Sequence, residues 1–377
     1  MEKPLLATAD YWESSEIDLR LNPRRNFEVD GLVDFLQEQI GVEGAVVMAT
    51  SGSSGAPKFV VLPKTALLAS ARAVVNHLRL TQEDSWLAGL SDYHVGGLGI
   101  YARAFVLGAS VTVFENAPWK RDGRPFVKAL TDSAAAWTSL TPTHLHDLVE
   151  HRVESPKALK GLLLGGGRID PKLAGRAGDL GWPIFPSYGM TEASSQIATG
   201  AVGETNWLSL LPGWETKLTT ENRLLIRGAP LFAGYATLEG GAWSFDSARD
   251  DAGWFLTGDS CEIDEGKLRH LGRADDLVKV LGELVSVSSV ESRVCETLEC
   301  PASLLALTEP RRGHEFVAFV EGVNLTAHYQ RTLDASLTGL ERVSRVIVVQ
   351  QLPRTEIGKI DRLALRDLLS PSSRERL

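Results

Sequence analysis

A chain of 377 residues is too long for one small core and predicts a large domain with a smaller one beside it. Its composition, 44% hydrophobic and 23% charged, is that of a folded globular protein and excludes a disordered or fibrous one. The 39 basic and 48 acidic residues leave a net charge of -9, which argues against a general nucleic-acid surface but leaves room for a local basic pocket that takes phosphates.

The N-terminal residues carry no basic segment leading into an apolar stretch, and no run reaches the length of a bilayer, so the expectation is a cytoplasmic protein without membrane insertion. Cys261, Cys295 and Cys300 are odd in number and lack metal-ligand spacing, which reads as thiols in a reducing compartment rather than a disulfide framework or a zinc site.

In chain order, strand-like apolar runs at 45–49, 110–114, 135–140 and 161–164 alternate with segments of helical period, the pattern of helices packed on sheets. Leu67, Leu68, Ala71, Val74, Val75 and Leu78 recur at helical spacing and predict a helix over 64–80. Polar and small residues at 199–212 give way to a strand-like run at 223–227, which predicts a β-rich subdomain. After 272–276 the pattern restarts with strands at 277–281, 304–308, 316–320 and 343–349 and a helix at 288–298. The expected fold is therefore α/β: a large domain over 1–274, with helices on β-sheets and the β-rich subdomain, and a small α+β domain over 275–377.

Immediately after the first strand come Thr50, Ser51, Gly52, Ser53, Ser54, Gly55, Ala56, Pro57 and Lys58. Glycines let backbone N–H groups close around an anion, hydroxyls add donors and Lys58 adds charge. The spacing is not that of a Walker A loop, and taken alone the segment is equally an ordinary turn between two strands.

Four further blocks follow it: Tyr188-Gly189-Met190-Thr191-Glu192, Gly253-Trp254-Phe255-Leu256-Thr257-Gly258-Asp259, Gly272-Arg273-Ala274-Asp275-Asp276-Leu277-Val278-Lys279, and Pro353-Arg354-Thr355-Glu356-Ile357-Gly358-Lys359. In content and order these blocks resemble the signatures of the acyl-adenylate-forming, AMP-binding superfamily, and they cover about 45–362 of the chain. Family members carry a longer region ahead of the phosphate loop, so the resemblance implies a shortened N-terminal region here.

The resemblance implies ATP and magnesium as cofactors and CoA as co-substrate. It assigns the β and γ phosphates to 50–58, the α-phosphate to Thr191, magnesium to Glu192, the ribose to Asp259 and Arg273, and packing against the adenine and acyl group to Gly165, Gly166 and Gly167, and it counts Tyr188 and Gly189 among the nucleotide-binding residues. Lys359 takes the role of the adenylation lysine, and Asp275 that of a hinge about which the small domain rotates between two half-reactions. His94, in Ser91-Asp92-Tyr93-His94-Val95-Gly96-Gly97, resembles the family histidine beside the acyl carboxylate, although Ser91 stands where the family has proline. Each residue also has a plainer reading. Thr191-Glu192 is a helix start, Asp259 and Arg273 are turn residues, Lys359 is a solvated charge, Asp275 is a linker residue and His94 is a neutral core histidine.

Within the superfamily, Ser139-Leu140-Thr141-Pro142-Thr143, Ser195-Gln196 and Pro230-Leu231-Phe232-Ala233-Gly234-Tyr235 are similar to segments of o-succinylbenzoate:CoA ligases of menaquinone biosynthesis. Such an acid carries an aromatic ring and a second carboxylate, so its pocket needs apolar walls and one cationic or hydroxyl-rich end, for which Arg168 is a candidate. Another aryl or acyl CoA ligase, transfer to a carrier-protein thiol, and a non-catalytic nucleotide-binding homologue stay open, as does a homodimer.

Overall fold

The computed structural model describes residues 5–51, 57–114, 119, 122–273, 276–323, 325–355 and 360–369. The chain divides into two compact units, Met1–Thr219 with Leu224–Thr257 and Glu262–Arg269, and Thr220–Arg223 with Gly258–Cys261 and His270–Leu377.

The first unit begins with helix α1 (Ala9–Trp12), strand β1 (Asp18–Leu19) and a short helix α2 (Leu32–Asp34). A hairpin of β2 (Ala45–Ser51) and β3 (Pro57–Pro63) leads into helix α3 (Lys64–Leu78). Helices and strands then alternate: β4 (Trp86–Ala88), α4 (Val95–Leu107), β5 (Val111–Val113), α5 (Arg124–Ser133), β6 (Trp137–Leu140), α6 (Pro142–Glu150), β7 (Gly161–Leu164), α7 (Pro171–Asp179) and β8 (Ile184–Met190). A run of strands follows, with β9 (Ser195–Thr199), β10 (Leu208–Leu210), β11 (Trp214–Leu218), β12 (Arg223–Gly228), β13 (Gly234–Glu239), β14 (Ala242–Asp246), β15 (Phe255–Asp264) and β16 (Lys267–Arg273). This is the α/β architecture with a β-rich segment that the sequence pattern predicts.

One sheet runs β1-β2-β3-β13-β14, and an eleven-stranded sheet runs β11-β12-β15-β16-β10-β9-β8-β7-β6-β4-β5. Strands β4, β6, β7 and β8 pair in parallel. β4, β6 and β7 are buried along their whole length, as expected where a parallel sheet is covered by helices. Leu87, Leu140, Leu162, Leu164, Trp182 and Ile184 form the centre of that core.

Local sequence sets the helix ends. In α3 the apolar stripe Leu67, Leu68, Ala71, Val74 and Val75 is buried, and the helix stops where Arg79 turns left-handed at φ 54°. Pro171 opens α7, and the side chain of Asp170 caps it by accepting from the Lys172 N–H.

The second unit contains the hairpin β17 (Leu277–Val280) and β18 (Glu283–Ser286), helix α8 (Val287–Leu298), strands β19 (Ala302–Glu309) and β20 (Gly313–Glu321), helix α9 (Thr326–Ser336), strand β21 (Val343–Val349) and helix α10 (Arg362–Asp367). The sheet order β19-β20-β21 places Phe316, Ala318 and Val320 under α8 and α9, whose Val290, Val294 and Leu333 fill the core. Among the described residues, no helix is long and apolar enough to cross a membrane.

Candidate active site

The β2–β3 hairpin frames the predicted phosphate loop from both ends. Thr50 lies opposite Lys58 and Ser51 opposite Pro57, and the Thr50 hydroxyl donates to the Lys58 carbonyl at 3.4 Å. Gly52, Ser53, Ser54 and Gly55 lie outside the described residues. Lys58 Nζ sits 5.1 Å from the centre of the Tyr235 ring, a cation–π distance, and the Tyr235 hydroxyl donates to Glu192 Oε1 at 2.8 Å. One aromatic side chain on β13 therefore joins the predicted phosphate lysine to the predicted metal carboxylate. The position of Tyr235 is set by sheet register, since it lies opposite Val60 of β3.

The block containing Tyr188 and Gly189 forms a strand that ends in a tight turn. A bulge separates Tyr188 from Gly189 in the β8–β9 pairing, and the chain then enters the single helical turn Thr191–Ala193. Ser194 and Ser195 leave it with φ of 51° and 121°. A Cβ on Gly189 would lie 1.7 Å from the Ser195 carbonyl oxygen, so only glycine lets the strand close on the turn. The Ser194 N–H donates to Thr191 O at 3.0 Å and the Phe232 N–H donates to Glu192 O at 2.8 Å, which fixes the backbone of both predicted residues.

Gly165, Gly166 and Gly167 follow β7. A Cβ on Gly165 would approach Ser187 Oγ to 2.5 Å, and Gly167 faces the ring of Pro142. Arg168, the sequence candidate for the cationic end, is exposed.

A different arginine occupies the interior. His94 has extended backbone and is the N-terminal cap of α4, accepting from the Gly97 and Leu98 N–H groups at 2.9 and 3.0 Å. One turn into α4, a Cβ on Gly99 would lie 3.1 Å from Arg103 Nη1 and 3.5 Å from Ser195 Oγ. The Arg103 guanidinium thus folds back along its own helix over Gly99, whose missing side chain leaves room for it. It is 1% exposed, donates from Nη2 to Ser139 Oγ at 3.2 Å and lies 4.6 Å over the Trp86 ring. Its Nε is unsatisfied, and among the described residues no carboxylate pairs with it. Burial pushes its pKa down to about 9, still high enough to keep it charged at neutral pH. Sequence reasoning passed over Arg103, although a lone arginine in the apolar stretch 98–106 was a visible signal.

In the second unit, the two predicted ribose residues come together. Asp259 is 6% exposed, and its Oδ1 lies 3.8 Å from Arg273 Nη1 and 3.5 Å from His270 Nε2. A Cβ on Gly258 would meet Arg273 Nη2 at 2.4 Å, so the glycine before the aspartate makes room for the guanidinium. His270 was not anticipated; it shares a face of β16 with neither Arg269 nor Leu271, and period-two spacing alone gives it no chemical label. Asp275 and Lys359 lie outside the described residues. Arg354 pairs with Ile360 in an isolated bridge, and the Asp361 N–H donates to Pro353 O at 2.9 Å.

Among the described residues, no group of three or more His, Cys, Asp or Glu could hold a metal ion. Glu192 offers a single carboxylate. That donor set fits magnesium, which takes one or two protein carboxylates and completes its shell with phosphate oxygens and water.

The family model described as AMP-binding enzyme matches residues 37–235. The 2-succinylbenzoate–CoA ligase of Escherichia coli (strain K12) is 32% identical over 323 residues, covering 84% of this chain and 67% of that protein. The enzyme of the same name from Salmonella typhimurium is 34% identical over 277 residues, covering 72% of this chain but only 57% of its own length. The solved structure of an E. coli MenE variant with bound OSB-AMS superposes with a TM-score of 0.71 at 30% identity, covering 87% of this chain and 69% of that one. With the motif order, the Lys58–Tyr235–Glu192 contact and these matches in agreement, the chain belongs to the AMP-binding enzyme family.

Proposed function

We propose that the chain is an ATP-dependent acid:CoA ligase that works through an acyl-adenylate and converts o-succinylbenzoate to its CoA thioester in menaquinone biosynthesis. The observation that carries the choice of acid is Arg103, a buried guanidinium that no carboxylate among the described residues neutralises. A dicarboxylic acid whose first carboxylate is activated needs one fixed cation for its second, and a planar guanidinium presents paired donors to a carboxylate. The similarity to ligases named for 2-succinylbenzoate supports the same acid.

In the first half-reaction a carboxylate oxygen attacks the α-phosphorus of ATP, a Pα–O bond forms, and the bond to the bridging oxygen breaks to release pyrophosphate. In the second, the CoA thiol loses its proton, its sulfur attacks the acyl carbon, and AMP leaves. Lys58 and the Thr50–Ser51 end of β2 would hold the β and γ phosphates, with Thr191 on the α-phosphate. Magnesium on Glu192 would neutralise phosphate charge. Tyr235 orients the Glu192 carboxylate through its 2.8 Å bond. Asp259, with Arg273 beside it, would accept from the ribose hydroxyls. Lys359 would bring an ammonium group to the developing charge in the first half-reaction, and the domain over 275–377 would turn about Asp275 between the two. His94 would border the reacting carboxylate. The reading includes a cytoplasmic setting, in line with Cys261, Cys295 and Cys300 forming no disulfide.

Pyrophosphate release with a panel of acids, each with and without CoA, tests this reading. Turnover with o-succinylbenzoate and CoA is expected. Turnover with another aryl acid alone would displace the acid, turnover indifferent to CoA would point to a carrier thiol, and none with any acid would leave a nucleotide-binding homologue.

A further inference from the structure

Arg20 reaches two parts of the first unit at once. Its backbone N–H donates to Val47 O at 2.9 Å, continuing the parallel pairing in which Asp18 faces Val46 and Leu19 faces Val47. That pairing ties it to β2, the strand that delivers Thr50 and Ser51 to the phosphate loop. Its side chain makes the other connection. Nε donates to Asp18 Oδ2 at 2.6 Å and Nη1 donates to Asp92 Oδ2 at 2.8 Å.

Asp92 sits in the short turn before α4, where the His94 N–H donates to Ser91 O at 3.1 Å. The turn is tight: a Cβ on Gly97 would lie 2.1 Å from Ser91 O. Asp18 is itself held, since the Tyr11 hydroxyl donates to the same Oδ2 at 2.7 Å and the Tyr11 ring lies 5.8 Å from the Arg20 guanidinium. The segment that carries these residues is anchored on α4 as well, because Trp12 stacks on Phe105 at 6.2 Å and its indole N–H donates to Leu6 O at 2.8 Å. Two carboxylates on different edges of one guanidinium fix its plane, which a lysine ammonium cannot do.

We infer that Arg20 is a positioning residue for the acid end of the site: by holding Asp92 it sets the turn that presents His94 and registers that turn to the strand feeding the phosphate loop. The inference rests on reading His94 as the residue beside the reacting carboxylate. The side chain of Arg20 reaches the turn through Asp92, whereas its tie to β2 is a backbone bond that a substitution keeps, so its effect falls on the acid rather than on ATP. The acidic turn needs a fixed partner because a free carboxylate at position 92 would repel an incoming carboxylate substrate, and the guanidinium neutralises it.

The test compares Arg20→Ala, Arg20→Lys, Asp92→Asn and the Arg20→Ala/Asp92→Asn double variant in the full chain. In the ligand-free proteins, amide hydrogen exchange at His94, Gly97 and Leu98 is expected to quicken in Arg20→Ala while α6 stays unchanged. In pyrophosphate release, KM for the acid is expected to rise about tenfold, the loss of the partly exposed charge-assisted bond that holds Asp92, with KM for ATP unmoved. Arg20→Lys recovers part of the loss, and the double variant is no worse than Arg20→Ala alone. Unchanged exchange at 94–98 overturns the proposal, as does a parallel rise of both KM values. Should Arg20→Ala fail to fold, Arg20→Lys and Asp92→Asn carry the same comparison. If the wild-type chain turns over no acid, the ligase reading fails while the exchange measurement still decides the role of Arg20.

Discussion

Replacing Arg103 with methionine should move stability and substrate binding in opposite directions. The guanidinium is almost fully buried, with one hydrogen bond to Ser139, a cation–π contact to Trp86 and an unsatisfied Nε. Burying an ion costs several kcal/mol, against about 2 kcal/mol for a desolvated cation–π contact and about 1.5 kcal/mol for a charge-assisted bond. The free protein therefore carries this cation at a net cost, and a methionine of similar length should stabilise it by about 1–3 kcal/mol, or a few degrees in melting temperature. Binding should move the other way. Losing one partner of a buried charge pair costs about 2–5 kcal/mol, so KM for o-succinylbenzoate should rise about thirtyfold to several thousandfold. Thermal melts of the ligand-free protein and pyrophosphate release at saturating ATP measure the two effects. An aryl acid lacking the second carboxylate should be used almost equally well by both proteins. If Arg103→Met melts lower and keeps the wild-type KM, Arg103 is a structural cation and the argument for a dicarboxylic acid falls with it.

Burial pushes the pKa of His144 from an ordinary 6.5 down to about 4, with Asp147 acting weakly the other way. Between those values the unfolded chain binds more protons than the folded one, so stability is complete above about pH 6.5 and is lost as the pH falls toward 4, by about 3 kcal/mol in all. Denaturant melts of His144→Gln across that window should show a shallower loss than wild type. Gly189→Ala should lower turnover at least a hundredfold, since the Ser195 carbonyl must retreat by more than an ångström and drag the Thr191–Glu192 turn with it; turnover within tenfold of wild type would show that the turn tolerates the shift. Lys359→Ala should abolish adenylate formation yet leave thioester formation from supplied adenylate largely intact, and equal loss of both half-reactions would remove the role proposed for that lysine.

The sequence revealed most where chemistry is local in the chain and least where a contact is made between distant strands. Strand β2 was legible as the apolar run at 45–49, whereas β3 was implied only by the plainer reading of 50–58 as a turn between two strands. Thr191 and Glu192 stand next to each other in one short block, and Gly189 acquires its steric reason only where Ser195 closes on it. Tyr235 was visible within a resembling segment, yet its role depends on facing Val60 across a pairing with β3, a strand 170 or so residues earlier, and no local pattern encodes that register. Arg168 and Arg103 show the same limit from the other side. Arg168 follows the glycines at 165–167 and is exposed, whereas the arginine that the fold buries sits in a helix whose apolar neighbours advertise only core. What singles out Arg103 is an imbalance, a buried charge with hydrogen-bonding capacity to spare, and such an imbalance exists only after folding. A residue that costs the free protein stability needs a reason to be where it is, and a dicarboxylic substrate supplies one that ordinary packing does not.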